Sequence, residues 1–364
     1  MRVAALETSV YRVPTDRPEA DGTIAWDATT VLVVEAVADD GTRGLGLSYA
    51  AAAAAGLVHE LLAEAVTGCA VDAVGAAWDA MVGAVRNAGR PGVAATAISA
   101  VDLALWDLKA RALGRPLFRL LGAHRDVVPV YGSGGFTTYS DRELAEQLCG
   151  WVDRGITRVK MKLGVDGGSG PDEDVRRVAL AREAIGPAVE LFVDANGAYA
   201  PRRAIEQARR FADYGVSYFE EPVSSDQLDQ LAFVRQHAPM AVAAGEYGYD
   251  PWYFRRMLEA GAVDVLQADA TRCLGASGWL EAAALAHAFA TPFSAHTAPS
   301  VHAQLGCAAP QLSHVEYFHD HARTEALLFD GAPEPEGGVL RPDPGRPGLG
   351  LELKRVDAER WRVR

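Results

Sequence analysis

Three carboxylates recur at a constant interval in the middle of the chain. Asp194 lies in Asp194-Ala195-Asn196-Gly197, Glu220 in Glu220-Glu221-Pro222 and Glu246 in Gly245-Glu246-Tyr247, each 26 positions from the next (194, 220, 246). Singly, each has a plain structural explanation. Asp-Ala-Asn-Gly is a common turn, Glu-Glu-Pro can open a helix with favourable dipole charge, and a Gly-Glu pair alone carries no information. At the ends of three consecutive barrel strands, however, the three acids would converge on one point. Their mutual repulsion would then need a cation, and hard oxygen ligands in that number suit Mg²⁺, with water and substrate completing the shell. One ion per subunit is expected.

Basic residues flank this set. Val159-Lys160-Met161-Lys162 ends the preceding strand, and residues two apart on a strand face the same side, so both lysines should point into the barrel mouth. Two solvated lysines are the plain alternative. A base must be neutral, and the Lys160 ammonium and a nearby divalent ion would both lower the pKa of Lys162 toward that state. After the carboxylates come Asp269, in Gln267-Ala268-Asp269, and His296, in Ser294-Ala295-His296-Thr297. An aspartate bonded to one imidazole nitrogen fixes the tautomer and leaves the other nitrogen as a base. A lone histidine is more often structural; the aspartate in register argues for a base. Glu316, in Val315-Glu316-Tyr317, ends the last strand and is expected as a protonated acid. Lysine from the second barrel strand and histidine from the seventh would approach a central ligand from opposite sides. That arrangement suits removal of a proton α to a carboxylate, the enediolate being stabilised by the metal and a lysine.

The elements that must position these residues are legible in the periodicity. Val31 to Val37 is a β-branched run, Asp39-Asp40-Gly41 supplies a hairpin turn, and a short strand follows around Gly44 to Tyr49. The alanine tract Ala50 to Ala55 leads into a helix through Leu57, Leu61, Leu62 and Val66. Ile98, Val101, Leu105 and Leu108 mark a second helix from Thr96 to Ala112, with Gly114 as C-cap and Pro116 beyond it. Asp102 and Asp107 on that helix read as exposed or paired carboxylates, Asp107 with Arg111. From about residue 125 short apolar strands alternate with amphipathic helices such as Pro201 to Tyr214 and Asp226 to His237. The strands are Val127 to Tyr131, Arg158 to Leu163, Leu191 to Asp194, Ser217 to Glu220, Ala241 to Glu246, Val263 to Gln267, Pro292 to His296 and Val315 to Tyr317. That is the pattern of βαβ units closing into a barrel. No Gly-x-Gly-x-x-Gly joins a strand to a helix, which weakens a dinucleotide-binding reading. The proline- and glycine-rich tail from about Asp330 is expected to run back onto the N-terminal domain.

Bulk properties narrow the partners. A chain of 364 residues suggests two domains or a barrel with additions, and a net charge of -13 makes nucleic acid and anionic membrane poor partners. No stretch has signal-peptide character or the length to span a bilayer, so a cytoplasmic protein is expected. Cys69, Cys149, Cys273 and Cys307 lack metal-ligand spacing and read as reduced, mostly buried thiols.

The ordered set Lys-x-Lys, Asp-Ala-Asn, Glu-Glu-Pro, Gly-Glu, Gln-x-Asp, His and Glu resembles the mandelate racemase subgroup of the enolase superfamily. The resemblance spans nearly the whole chain. The helix with Val101-Asp102-Leu103-Ala104-Leu105-Trp106-Asp107 and the Pro-Gly-Leu-Gly tail are similar to that family's capping domain. It implies an α/β fold: a modified TIM barrel, (β/α)₇β, over residues 123–325. An α+β cap would be built from residues 1–122 and a C-terminal segment, 326–364, returning to it. It also implies Asp194, Glu220 and Glu246 as Mg²⁺ ligands, with Glu220 preferred to Glu221. Lys162 would be one base and His296, oriented by Asp269, the other. Lys160 would help bind the substrate carboxylate, and Glu316 would hydrogen-bond or protonate it. A homo-oligomer is expected.

Within this family two overall reactions suit the constellation. A dehydratase removes the α-proton and expels a β-hydroxyl to give a 2-keto-3-deoxy acid, whereas a racemase or epimerase returns the proton to the other face. Dehydration of an acid sugar is favoured, since it is the subgroup's commoner outcome. The family's lid follows its first strand, here Thr15 to Trp26 with Asp16, Arg17, Glu19 and Asp21, and a polar lid suits a polyhydroxy acid. Tyr131, in a hydroxyl- and glycine-rich stretch running to Thr138, together with Asn196, Arg272 and Arg17, is a substrate-binding candidate. The run His319-Asp320-His321 is another. A non-catalytic metal-binding barrel is the reading from a different class; bases on both faces argue against it.

Overall fold

The computed structural model describes residues 1–364. Its first layer is a three-stranded antiparallel sheet, β1 (Val3–Ala20), β2 (Ala25–Ala38) and β3 (Arg43–Tyr49). The apolar run in β2, interrupted only by Glu35, has a simple cause: both faces of the strand are covered. Leu32, Val34 and Ala36 face a core made with the cap helices, while Val31 and Val33 join Leu45 and Leu47 in the core shared with the barrel. Helix Val93–Ala112 lies directly on this sheet. A Cβ on Gly46 would meet the Ala100 carbonyl at 2.0 Å, so only glycine permits that approach. Gly114, with φ 60°, ends the helix in the left-handed cap expected of it. The alanine tract is helical from Ala53 to Val66 but widens into a π-turn over Val58–Leu62, which helix propensity does not encode.

The segment expected as a lid loop is instead a hairpin. Glu19 pairs with Trp26 and Ala20 with Ala25, so the strands continue to a tight turn at Asp21–Ile24. There the Asp21 carboxylate accepts the Thr23 and Ile24 amides at 2.6 and 2.9 Å. Between Pro14, opposite Ala28, and Glu19, opposite Trp26, β1 carries four residues against one on β2, a wide bulge that throws Asp16 and Arg17 outward.

Eight parallel strands follow in order: β4 (Val128–Gly134), β5 (Arg158–Lys162), β6 (Glu190–Asp194), β7 (Val216–Glu220), β8 (Ala241–Ala244), β9 (Val265–Ala268), β10 (Phe293–Ala295) and β11 (Leu312–Phe318). Each pairs with its sequence neighbour and β11 pairs with β4, closing the barrel. One helix connects each successive pair, which gives (β/α)₇β; helix His319–Leu328 follows the last strand. The lower interior is filled by Tyr131, Phe192, Tyr218, Ala243 and Val265, with the His314 ring 4.9 Å from that of Tyr131.

In the tail, Val339–Leu340 adds antiparallel to the start of β4, and Glu352–Leu353 pairs with Phe329–Asp330. The last residues reach the cap sheet, where Val10 exchanges backbone hydrogen bonds with Val363 and Arg364. A division at 325/326 falls inside helix His319–Leu328, not in a connection. No helix is long and apolar enough to cross a membrane, and all four cysteines are free thiols, Cys273 and Cys307 buried and the others half-buried.

Candidate active site

Strand register places the acids. Lys162, Asp194 and Glu220 are the last residues of β5, β6 and β7 and lie side by side in the ladder. Glu246 follows β8, Asp269 follows β9 and His296 follows β10. Asp194, Glu220 and Glu246 are all buried and each brings one carboxylate oxygen within 4.8 Å of the others. Lys162 Nζ donates to Asp194 at 2.5 Å and to Asn196 Oδ1 at 3.1 Å. Lys160 Nζ lies 2.5 Å from Glu220 and 2.9 Å from Glu316. Glu246 Oε2, in contrast, is buried without an aligned hydrogen bond, the His296 imidazole 3.2 Å away being its nearest cationic group. A convergent all-oxygen set, one of whose oxygens lacks an aligned hydrogen bond, fits a hard divalent cation. Glu221 diverges from its neighbour: its φ is 38°, and its side chain lines a separate cavity of about 450 Å³.

On the far side, His296 Nδ1 and Asp269 Oδ2 are 2.9 Å apart, and Asp269 is itself fixed by the amide and hydroxyl of Thr271, both at 2.7 Å. His296 Nε2 faces Glu246 Oε2 at 3.2 Å and Glu316 Oε2 at 3.7 Å. Glu316 accepts the Ser133 hydroxyl at 2.6 Å and the Thr297 amide at 3.0 Å.

Charge states follow from these contacts. Burial pushes the Lys162 ammonium down, but Asp194, with Glu246 and Glu316, together outweighs burial and Lys160, so the amine is held above its ordinary value. The expected lowering by Lys160 is therefore present but overridden. Burial likewise disfavours the His296 cation, yet Glu246 wins and raises it to about 9. Glu316 is not the protonated acid expected: burial would raise it, but Lys160, His296 and Lys162 with the Ser133 hydrogen bond together bring it down to about 2.

A cavity of about 400 Å³ opens above these groups, roofed by Trp26 of the lid, Thr29 of β2 and Tyr49. Lys162, Asn196, Arg272, His296 and Glu316 line it. Three expected substrate contacts are placed elsewhere. Lys160 is fully buried beneath the cavity with its ammonium committed to carboxylates. Tyr131 is fully buried in the interior layer below, its ring 5.3 Å from Lys160 Nζ, because it points inward from the middle of β4. Arg17 sits in the bulge and pairs with Glu143 at 3.0 Å, away from the cavity. His321 of the His319-Asp320-His321 run does line it, stacked on Tyr49 with ring centroids 3.4 Å apart. His319 turns outward to Asp16.

Two contributors were missed from the sequence. Gln267 donates to Glu220 at 2.8 Å, and its position two before Asp269, on the same inward face, was the available signal. Tyr49 ends β3, and only the docking of cap on barrel brings it to the site.

Comparisons with known proteins bear on the family. Residues 6–122 match the mandelate racemase / muconate lactonizing enzyme N-terminal domain, and residues 143–358 match the enolase C-terminal domain-like family. The chain is 31% identical to a D-galactarolactone cycloisomerase from Agrobacterium fabrum, covering 100% of this chain and 99% of that protein. A mandelate racemase/muconate lactonizing enzyme-like protein from Rubrobacter xylanophilus superposes with a TM-score of 0.96 at 52% identity over 100% of both chains. An L-talarate dehydratase from Polaromonas, solved with Mg and L-glucarate, superposes at 0.90 with 29% identity, over 100% of this chain and 98% of that one. Two family models that together span most of the chain, and a relative that covers all of it, settle the membership: the chain is an enzyme of the enolase superfamily, in its mandelate racemase subgroup.

Proposed function

We propose that the protein catalyses Mg²⁺-dependent removal of the proton α to a carboxylate and then the dehydration of an acid sugar to a 2-keto-3-deoxy acid. The observation that carries this reading is the placement of Lys162 and His296 at 2.5 and 3.2 Å from opposite members of one acidic triad.

Asp194, Glu220 and Glu246 would hold the ion, which supplies Lewis-acid stabilisation of the charge developing on the substrate carboxylate. Lys162 would take the α-proton from one face as the neutral amine, having given its own proton to solvent once a cation in the triad had replaced it as the partner of Asp194. His296, its Nδ1–H fixed by Asp269, presents Nε2 to the other face as base or as the acid that protonates the departing β-hydroxyl. Glu316, ionised and held by Ser133 and the Thr297 amide, accepts hydrogen bonds from substrate hydroxyls. Lys160 offsets the charge of Glu220 and Glu316 from below. Trp26, Thr29 and Tyr49 cover the cavity and exclude water, and Arg272 supplies the cationic wall for a sugar acid.

A second reading is favoured by the cycloisomerase relative, which covers the whole chain. If the group β to the acid is the ring oxygen of a lactone, the same proton removal opens the ring and no water is lost. A panel of mono- and diacid sugars and their lactones, incubated with Mg²⁺ in D₂O, separates the possibilities. Keto-acid formation from open-chain acids supports dehydration, and ring opening supports cycloisomerisation. Exchange with loss of chirality and no keto acid supports a racemase or epimerase. If no acid exchanges, or if exchange survives both Lys162→Ala and His296→Asn, the enolising mechanism is wrong.

A further inference from the structure

A second group of metal-type donors lies outside the active site, where the lid meets the barrel. Asp16, Glu19 and His319 each bring one ligand atom within 4.8 Å of the others. His319 Nε2 is 3.2 Å from both oxygens of Asp16. That contact alone is an ordinary surface ion pair. The second observation concerns Glu19, whose residue is 1% exposed. Its Oε2 accepts the Trp26 indole N–H at 2.8 Å, but Oε1 is buried with no partner. No lysine or arginine reaches it: Arg17 is held by Glu143, and Arg323 by Asp320 and the Pro14 carbonyl. Burial, with Asp320 and Asp16 nearby, raises the Glu19 pKa to about 8, and its Oε1, with neither donor nor cation, is an unmet requirement that a bound cation would fill.

We propose that Asp16, Glu19 and His319 form a second divalent-cation site, of the zinc type, that clasps the lid hairpin to the barrel. An imidazole nitrogen with two carboxylates suits zinc or a similar transition ion, whereas the all-oxygen triad of the active site suits Mg²⁺. Bonds of ~2.0–2.2 Å would draw the donors closer by roughly an ångström, and Asp16 sits in the bulge of β1, where pairing does not fix the backbone. Nε2 of His319 would face the ion with the proton on Nδ1. Three protein donors leave one position for water from the adjoining cavity of about 220 Å³, which Asp16 and His319 line. Glu19 holds Trp26, and Trp26 roofs the active cavity, so an ion here joins the closed lid to the helix after the last strand.

The test is calorimetric titration of the full-length protein with Zn²⁺ in saturating Mg²⁺, alongside His319→Ala and Glu19→Gln. Glutamine keeps the acceptor for Trp26, so this variant folds even if the other does not. One equivalent of Zn²⁺ is expected in the wild type and none in either variant, with Mg²⁺ binding unchanged in all three. Zn²⁺ should also slow proteolytic cleavage of the lid in the wild type alone. Absence of Zn²⁺ uptake in the presence of Mg²⁺, or equal uptake by both variants, overturns the proposal; equal uptake would mean that Zn²⁺ enters the Asp194 site.

Discussion

Asp269 Oδ2 and His296 Nδ1 meet at 2.9 Å at the ends of neighbouring strands, and the second Asp269 oxygen is already saturated by Thr271. The carboxylate therefore cannot turn, and it dictates which imidazole nitrogen carries the proton. Asp269→Asn preserves the shape but can present its amide to Nδ1, which then becomes the acceptor and leaves Nε2 protonated. Turnover should fall by roughly 10²–10⁴-fold. Isotope exchange at the face served by Lys162 should survive, which NMR of the substrate in D₂O would show. Equal loss at both faces would point to a structural role for the pair.

Metal removal should change the charge of His296. Burial opposes its cation, but the unneutralised Glu246 raises its pKa to about 9 in the metal-free protein. Because that value exceeds the ordinary one near 6.5, the interaction stabilises the fold below about pH 6.5. The contribution is lost as the pH rises through about 9. Adding Mg²⁺ should lower the imidazole titration seen by heteronuclear NMR. An unchanged titration would place the ion elsewhere.

Mg²⁺ should also raise thermal stability. Binding only the folded state is worth about 2.7 kcal/mol at a hundredfold excess over Kd. Calorimetric scans should show a rising Tm for the wild type and none of this dependence for Glu246→Gln.

The lid closes through a bare backbone contact. A Cβ at Gly22 would come 2.6 Å from the Ala195 carbonyl and 2.8 Å from that of Leu163, neither of which can swing aside. Gly22→Ala should hold the hairpin tip off the barrel. KM should rise and proteolysis within residues 15–26 should accelerate, while Mg²⁺ affinity stays the same.

The cap is latched by a buried acid. Asp102 accepts the Ser277 amide and hydroxyl at 2.9 and 2.8 Å, and burial raises its pKa to about 7. A folded value above the unfolded one means stability present below about pH 4 and lost as the pH rises to about 7, on the order of a few kcal/mol. Asp102→Asn should flatten urea-unfolding stability across that window. Asp102→Ala should destabilise at every pH by leaving the Ser277 amide and hydroxyl without an acceptor, about 1–3 kcal/mol.

The sequence by itself determined the barrel and the identity of its polar rim. Strand alternation has a strict period of two and strand ends recur at a regular interval, so Lys162, Asp194, Glu220, Asp269 and His296 could be assigned to one mouth without coordinates. Asp102 and Asp107 were legible only as helix carboxylates. Their full burial comes from partners distant in the chain, Ser277 for one and the Leu45 and Leu349 amides for the other. Tertiary structure alone decided depth and long-range pairing. Tyr131 and Lys160 point inward, as expected, but one lies a layer too low and the other is enclosed by acids, so neither meets the cavity. Arg17 leaves the lid through a bulge whose cause is a register shift, and Tyr49 enters the site because two domains dock. Periodicity fixes which way a side chain points; how far it stands from solvent, and what closes over it, depends on contacts between residues hundreds of positions apart.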